Sequence, residues 1–461
     1  MATTQQELAL IGKYAYSFPS IGKVEIIKNP MILIENNEIV AIGKKKEVEK
    51  ELAGHDIIGD PKKDILLPGF VNTHTHAAMT LFRGIADDLE LMDWLNNYIW
   101  PMEKRLEPKH IKAGALLAAL EFIRGGVTTA NSMYWYPEQE AEAFVKIGLR
   151  GFVGLTALEL GDMGNYKRDY DFISKWHTSN NDLIRTSLQP HATYTVSKEL
   201  YQDIYAFKQE LNNKYPEAPI IFHTHIAETR EEWNNTKKFV EKMGFSIPSE
   251  VKSVVQYLDL IGVLDEDTVG AHVVHTNCRD LEILKQRKVG VSINIMSNLK
   301  LASGIPPVPR YLEHGVKLSI GTDGASSNNT LNLFDSVRTI ALLYKGLNYD
   351  PLTTKISEVL YMATKGGASV LRLNKVGELK IGYKADIISL SLDTPETMPV
   401  YNANTALSHI VYVADRTMVK NVVINGELVL EDRHAVKTND EKIMEQFNNA
   451  AIDLYEKTEN K

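Results

Sequence analysis

Apolar residues in this chain gather in short runs that end on polar or charged residues, and eight such runs recur through its middle. They are Ile65–His76, Val127–Tyr134, Gly151–Leu158, Arg185–Thr195, Ile220–Glu228, Val269–Thr276, Val289–Met296 and Lys317–Thr322. The stretches between them are amphipathic and long enough for crossover helices; Ile111–Ile123 is one, with Pro108 placed at a helix start. Strand-like runs alternating with helical ones indicate repeated βα units around a parallel sheet. Eight units predict a closed (β/α)8 barrel of the TIM type, in which functional residues sit at the C-terminal ends of the strands.

The ends of the chain follow another rhythm. Before Leu66, short β-type runs (Glu25–Lys28, Met31–Glu35, Glu38–Ile42) are broken by Asn-Asn and Gly turn signals. Similar material returns at Val376–Leu390 and Met418–Leu430, with Asn425-Gly426 as a hairpin turn. The expected architecture is therefore α/β: a barrel over 67–369 inserted into a small β-sandwich domain built from both chain ends, 1–66 and 370–436. The remainder, 437–461, is polar and Glu/Lys-rich with helical periodicity over Lys442–Lys457, a helical tail with a frayed end.

Composition narrows the partners. The 461 residues carry a formal charge of −8, and the longest basic run is Lys44-Lys45-Lys46, which argues against nucleic acid and membrane surfaces and for a small-molecule ligand. Cys278 is the only cysteine. That excludes an intramolecular disulfide and a thiolate metal cluster, leaves His, Asp and Glu as ligands, and suits a reducing cytoplasm. The first residues lack a basic, then apolar, leader pattern, and no long uninterrupted apolar run occurs, so a cytoplasmic, non-membrane protein is expected.

The run ends carry the candidate chemistry. His74 and His76 lie at i and i+2, so a strand turns both imidazoles to one face, where they can share a metal ion. The fifth run contributes His225 and, just beyond, Glu228; the sixth His272; the eighth Asp323. A single strand-end histidine is commonly a core residue, and an aspartate before glycine is commonly turn chemistry. Three further runs ending on His, His or Asp at the same barrel face as the pair point instead to a metal site.

Four ordered segments, Pro68–His76, His223–Thr229, Ala271–His275 and Gly321–Asn329, together resemble the amidohydrolase superfamily. More narrowly, the chain is similar to its 5-methylthioadenosine/S-adenosylhomocysteine deaminase branch over nearly its whole length. The resemblance implies one divalent metal ion, usually zinc, held by His74, His76, His225 and Asp323, with a position left open for water. It implies that Asp323 also takes a proton from that water, that His272 holds or activates the nucleophile, and that Glu228 protonates the ring nitrogen beside the attacked carbon. It assigns Glu103 to the ribose hydroxyls, a match for a carboxylate facing a vicinal diol, and His191 to a nucleoside contact. The long segment Ala77–Glu107 is expected to cap the site. Within it, Trp94 and Trp100 line the lid or anchor it to the barrel, with anchoring the preferred reading.

One departure bears on the substrate. Homocysteine-accepting members of that branch hold the substrate carboxylate with arginines near the end of the third run, where this chain reads Gly154–Leu160. Arg150 lies too early, and Lys167 and Arg168 follow only in the loop. A carboxylate needs a charged partner. Methylthioadenosine or another 5′-modified adenosine is favoured over S-adenosylhomocysteine, unless a neighbouring copy in a homo-oligomer supplies the charge. Alternatives are a triazine chlorohydrolase or aminohydrolase, a guanine or cytosine deaminase, or a non-catalytic scaffold of the same fold.

Overall fold

The apolar runs of the middle close on one another, and this gathers their polar ends at one rim. A computed structural model of the chain describes residues 7–52, 54–85, 87–159 and 166–459, without the side chains of 91, 92 and 459. The N-terminal residues 1–6, Leu160 at the end of the third run's segment, and the side chain of Met92 within the lid fall outside this description. The barrel strands are β1 (Phe70–Thr75), β2 (Val127–Ser132), β3 (Arg150–Ala157), β4 (Ile184–Pro190), β5 (Ile221–Ile226), β6 (Thr268–His272), β7 (Gly290–Ile293) and β8 (Lys317–Ile320). Each pairs in parallel with its successor in sequence, and β8 returns to β1, closing the barrel. The helix predicted after Pro108 runs Pro108–Arg124, with the proline at its first turn, where no intrahelical N–H bond is lost.

The first run is two elements. Asp64–Pro68 pairs antiparallel with Ile387–Ser391 in the terminal domain, and only Phe70–Thr75 enters the barrel. Gly69 makes the transition: its N–H bonds the Asp386 carbonyl at 2.9 Å, and a Cβ there would fall 2.1 Å from the Thr128 side chain. Only glycine allows so close an approach.

Both chain ends build the seven-stranded sheet, in the order His434–Ala435, Glu427–Glu431, Val419–Ile424, Ile387–Ser391, Asp64–Pro68, Tyr14–Ser17, Glu25–Lys28. A four-stranded sheet faces it, made from the N-terminal part alone: Glu38–Lys44, Pro30–Glu35, Leu8–Ile11 and Asp56–Ile58. Leu8, Leu10, Ile32 and Ile34 from the smaller sheet and Ala15, Leu66, Ile387 and Val423 from the larger share one buried cluster, the interior of a sandwich. The stretch Val376–Leu390 is strand only from Ile387 onward. Asn425 and Gly426 form the predicted hairpin with φ of 52° and 80°, the two left-handed positions that a type I′ turn requires.

Two attachments tie the parts together. Arg150, at the start of β3, is buried and binds Asp386 in two places, Nε to Oδ2 at 2.7 Å and Nη2 to Oδ1 at 2.9 Å, and also reaches Asn425. It therefore serves the junction at the opposite end of β3 from the polar rim. The C-terminal segment is one helix, Asp440–Glu459, packed along Pro108–Arg124. No helix among the described residues is long and apolar enough to cross a membrane.

Candidate active site

The polar ends of β1, β5, β6 and β8 meet in a cleft at the C-terminal rim. His76, Glu103, His191, His225, Glu228, His272 and Asp323 all line it, and His74 lies directly beneath, fully buried. Every residue predicted for the site is thus brought together. Ala227, His272 and Asp323 have φ of 50°, 71° and 62°, left-handed values that non-glycine residues adopt only where the surrounding structure enforces them.

Hydrogen bonds to backbone carbonyls fix two of the histidines. His76 Nδ1 donates to the Met133 carbonyl at 2.6 Å and His225 Nδ1 to the His191 carbonyl at 2.9 Å. A neutral imidazole with a protonated Nδ1 has a bare lone pair on Nε2. These two Nε2 atoms face each other at 3.4 Å, an arrangement that repels unless a cation lies between them. Asp323 Oδ1 stands 3.3 Å from His76 Nε2 and 3.3 Å from His74 Nε2, and the latter is a buried atom with no hydrogen-bond partner. Four ligands around a tetrahedral ion with bonds of roughly 2.0–2.1 Å are separated by about 3.3 Å. The three spacings match that value, and the donor atoms of His74, His76 and His225 lie within 4.8 Å of one another, as a shared metal ion requires.

His272 lies equally close, since donor atoms of His74, His272 and Asp323 also fall within 4.8 Å of one another. Its Nδ1, however, contacts the Asn298 amide nitrogen at 2.9 Å. In the tautomer that accepts that bond the proton sits on Nε2, and His272 then donates toward the cleft. Burial lowers its pKa to about 4, so the ring is neutral. A second acidic cluster, Glu107, His110 and Asp453, lies away from the cleft and already holds Lys109 and Lys457, so it needs no metal.

The carboxyls differ by environment. Burial raises Asp323, but the facing His74 and His76 rings bring it well below the usual range. Its Oδ2 also accepts from Ser297 Oγ at 2.6 Å and Ser327 Oγ at 2.9 Å. Glu228 pairs with no lysine or arginine among the described residues, and burial, with the charge of Asp323 adding, pushes it up to about 8. A divalent ion in the His/Asp cage opposes that rise. Glu103 is raised to about 7 by burial, while Tyr134 OH donates to its Oε1 at 2.7 Å. His191 is lowered by burial to about 3; its Nδ1 pairs with Thr195 Oγ1 at 2.9 Å, which itself donates to the Ala192 carbonyl, leaving Nε2 an acceptor.

The lid is not a loop. Residues 77–107 contain a 3₁₀ turn (Ala77–Phe82) and a run of short helical pieces, Leu91–Trp94, Leu95–Ile99 and Trp100–Glu103. Of the two readings of Trp94 and Trp100, both have support: both side chains line the cleft, and Trp94 is also packed into the apolar cluster beneath the lid. Lys167 and Arg168 do not line the cleft: Lys167 is exposed, and Arg168 pairs with Asp203 at 2.6 Å and lies over the Phe207 ring. Tyr134, Ser297, Asn298, Ser327 and His223, whose Nε2 meets His74 Nδ1 at 2.9 Å, were not singled out from sequence. Of these only His223 carried a signal, as the first histidine of its own His-x-His.

A (β/α)8 barrel with histidines and an aspartate gathered at its C-terminal rim has the architecture of the amidohydrolases. The sequence pattern of the amidohydrolase family matches residues 65–429, and the chain belongs to that family. It is 40% identical to a 5′-deoxyadenosine deaminase of Methanocaldococcus jannaschii over 93% of this chain and 96% of that one. It is 37% identical to a 5-methylthioadenosine/S-adenosylhomocysteine deaminase of Dictyoglomus turgidum over 94% and 96% of the respective chains. Among solved structures, a zinc-bound adenosine deaminase of Xanthomonas campestris superposes with a TM-score of 0.86 at 27% identity, covering 98% of this chain and 99% of the other.

Proposed function

We propose that the protein hydrolyses the 6-amino group of an adenosine bearing an uncharged 5′ position, 5′-deoxyadenosine or 5′-methylthioadenosine, to the inosine analogue and ammonia. The observation that carries this is the placement of a buried acid, Glu228, whose pKa burial raises, beside the His/Asp cluster and in one cleft with Glu103. A divalent ion held by His74, His76, His225 and Asp323, which we take to be zinc, supplies Lewis acidity that makes water a nucleophile near neutral pH.

The chain's own residues then divide the proton work. Asp323 accepts the proton released by the attacking water, and His272 Nε2–H donates a hydrogen bond to the attacking oxygen. Glu228 protonates the ring nitrogen next to C6, so addition gives a neutral tetrahedral carbon rather than an anion. The C6–N bond breaks as the amine takes the proton held by Asp323 and leaves as ammonia, and the C6 hydroxyl returns its proton to the Glu228 carboxylate as the carbonyl forms. Glu103 accepts hydrogen bonds from the ribose hydroxyls, and His191 contacts the nucleoside through Nε2.

The 5′ preference rests on charge. No lysine or arginine among the described residues lines the cleft, and residues 160–165 contain none in their sequence. Trp94, Trp100, Leu158 and Leu301 give the cleft an apolar wall instead. A homocysteine carboxylate there lacks a cationic partner. The single cysteine, exposed Cys278, suits the cytoplasm as the site of action.

The test is ammonia release by the zinc-loaded protein from 5′-deoxyadenosine, 5′-methylthioadenosine, S-adenosylhomocysteine, guanine and an aminotriazine. The first two are expected to react best and S-adenosylhomocysteine poorly. Glu228→Gln is expected to keep its metal and lose about 100-fold or more in kcat. Silence on both adenosines with turnover of guanine or the triazine would reject the nucleoside reading.

A further inference from the structure

One buried carboxyl next to the cleft takes no part in the chemistry above. Glu232, the first residue of the helix Glu232–Lys242, is 1% exposed, and no cation pairs with it among the described residues. Its Oε1 accepts the Ala227 N–H at 2.8 Å and its Oε2 the Glu228 N–H at 2.6 Å, with the Thr229 N–H also turned to it. Ala227 is the left-handed residue at the end of β5, a conformation unfavourable for a residue with a Cβ.

The other face of the same backbone holds a second strained turn. The Ala227 carbonyl accepts the N–H groups of Val274 and His275, each at 3.0 Å, and the Ile226 carbonyl accepts that of Val273 at 2.9 Å. Those residues follow directly on His272, and His272 and Val273 are themselves left-handed, with φ of 71° and 49°. The Ala227 residue thus points its N–H at Glu232 and its C=O at the turn behind His272. Two strained strand ends lock each other, and one carboxylate holds the pair from outside.

We propose that Glu232 is a positioning residue that sets Glu228 and His272 in mutual register through the backbone of Ala227. The geometry requires two acceptor oxygens, and the backbone N–H groups that meet them oppose the rise that burial imposes on Glu232. Both oxygens must accept from backbone N–H groups, whereas glutamine turns an NH2 donor toward one of them. Glutamate at 232 therefore fixes where the Glu228 side chain starts and how the His272 ring meets it; Glu228 Oε2 and His272 Nε2 stand 3.8 Å apart. This rests on the reading of Glu228 as the proton donor.

The experiment compares metal-loaded Glu232→Gln, Glu232→Gln with Ala227→Gly, Glu232→Asp and Glu228→Gln for kcat, KM, metal content and thermal midpoint. Displacing a reacting group by about an ångström costs on the order of 100-fold, so Glu232→Gln is expected to lower kcat about 10- to 100-fold. Its KM stays within about twofold and its metal content is unchanged, because the substrate and ligand contacts are untouched. Adding Ala227→Gly recovers part of the loss, since glycine holds a positive φ without a clamp. Glu232→Asp, which keeps the charge but shortens the reach, lowers kcat in the same way and serves if the glutamine variant does not fold. Wild-type kcat in Glu232→Gln or Glu232→Asp overturns the proposal. So does a loss of kcat shared with metal loss and a raised KM, which marks a general folding defect. Full activity of Glu228→Gln rejects the proton-donor reading itself, and is seen independently of the Glu232 variants.

Discussion

Glu228 can donate a proton only while its carboxyl is neutral, and burial is what keeps it so. Its value of about 8 describes the site without an ion, and a divalent cation nearby lowers it. The sign follows: the acid is competent below its pKa and is lost as pH rises through it, so kcat/KM falls on the alkaline side, with its limb at or below about 8. A pH–rate profile of the zinc enzyme checks this, and a profile flat to about pH 10 would remove Glu228 as the acid. At this scale the sequence disclosed the residues that end apolar runs. His74, His76, His225 and Asp323 could be singled out because each stands at or just past the end of an apolar run, and the family resemblance gave them as one set. Ser297, Asn298 and Glu232 could not, because each is a common polar residue on a short or surface-type helix. Their importance lies in which atom they touch: Asn298 pairs with His272 Nδ1 from 26 residues away.

At the scale of elements, the lid and the C-terminal helix behave as one unit. Phe447, Ala451 and Leu454 of Asp440–Glu459 pack into the cluster that holds Trp94, Ile99, Met102 and Leu106 under the lid. His110 Nε2 and Asp453 Oδ2 join the two helices at 2.7 Å, with Lys109 and Lys457 around them. The ion pairs are half-exposed and contribute little; the apolar contact carries the docking. Leu454→Ala, at a residue 1% exposed, is expected to cost about 2–5 kcal/mol locally and to loosen Trp100–Glu103. KM for the nucleoside then rises several-fold, with a smaller change in turnover of a free base that has no ribose for Glu103 to grip. Steady-state kinetics on both substrates checks it, and equal effects on the two would disconnect the helix from the ribose contact. From sequence the tail showed only weak helical periodicity, because its apolar face is short and its partner lies more than 300 residues earlier.

For the molecule as a whole, Arg150 and Asp386 join the barrel to the sandwich. Both side chains are 1% exposed, and the Asp386 carboxylate also accepts the Asn425 N–H at 2.7 Å. Removing the arginine leaves a buried charge, a loss of roughly 3–5 kcal/mol, whereas replacing both partners by apolar residues of similar volume is close to neutral. Arg150→Met is expected to lower the thermal midpoint clearly, and Arg150→Met with Asp386→Leu to recover much of it. An unchanged midpoint in the single variant would show that the clamp carries no stability. The sequence placed Arg150 outside the substrate pocket by its position at the start of a run, but its partner could not be read from a distance of 236 residues.

Periodicity and run endings determined the barrel, the composite terminal sheet and the metal-ready residues, because burial on both faces of a parallel strand and alternation at its end are local properties of a sequence. Tertiary structure alone decided the rest. It split Ile65–His76 at Gly69, where a Cβ would collide with Thr128, and it folded the lid into helices over a shared apolar cluster. It also set the burial of Glu228 and the partner of His272 Nδ1, since both depend on what is excluded or brought near in space. Solvent exclusion, orientation and hydrogen-bond partners are sums over residues distant in the chain, and only the closed fold assembles them.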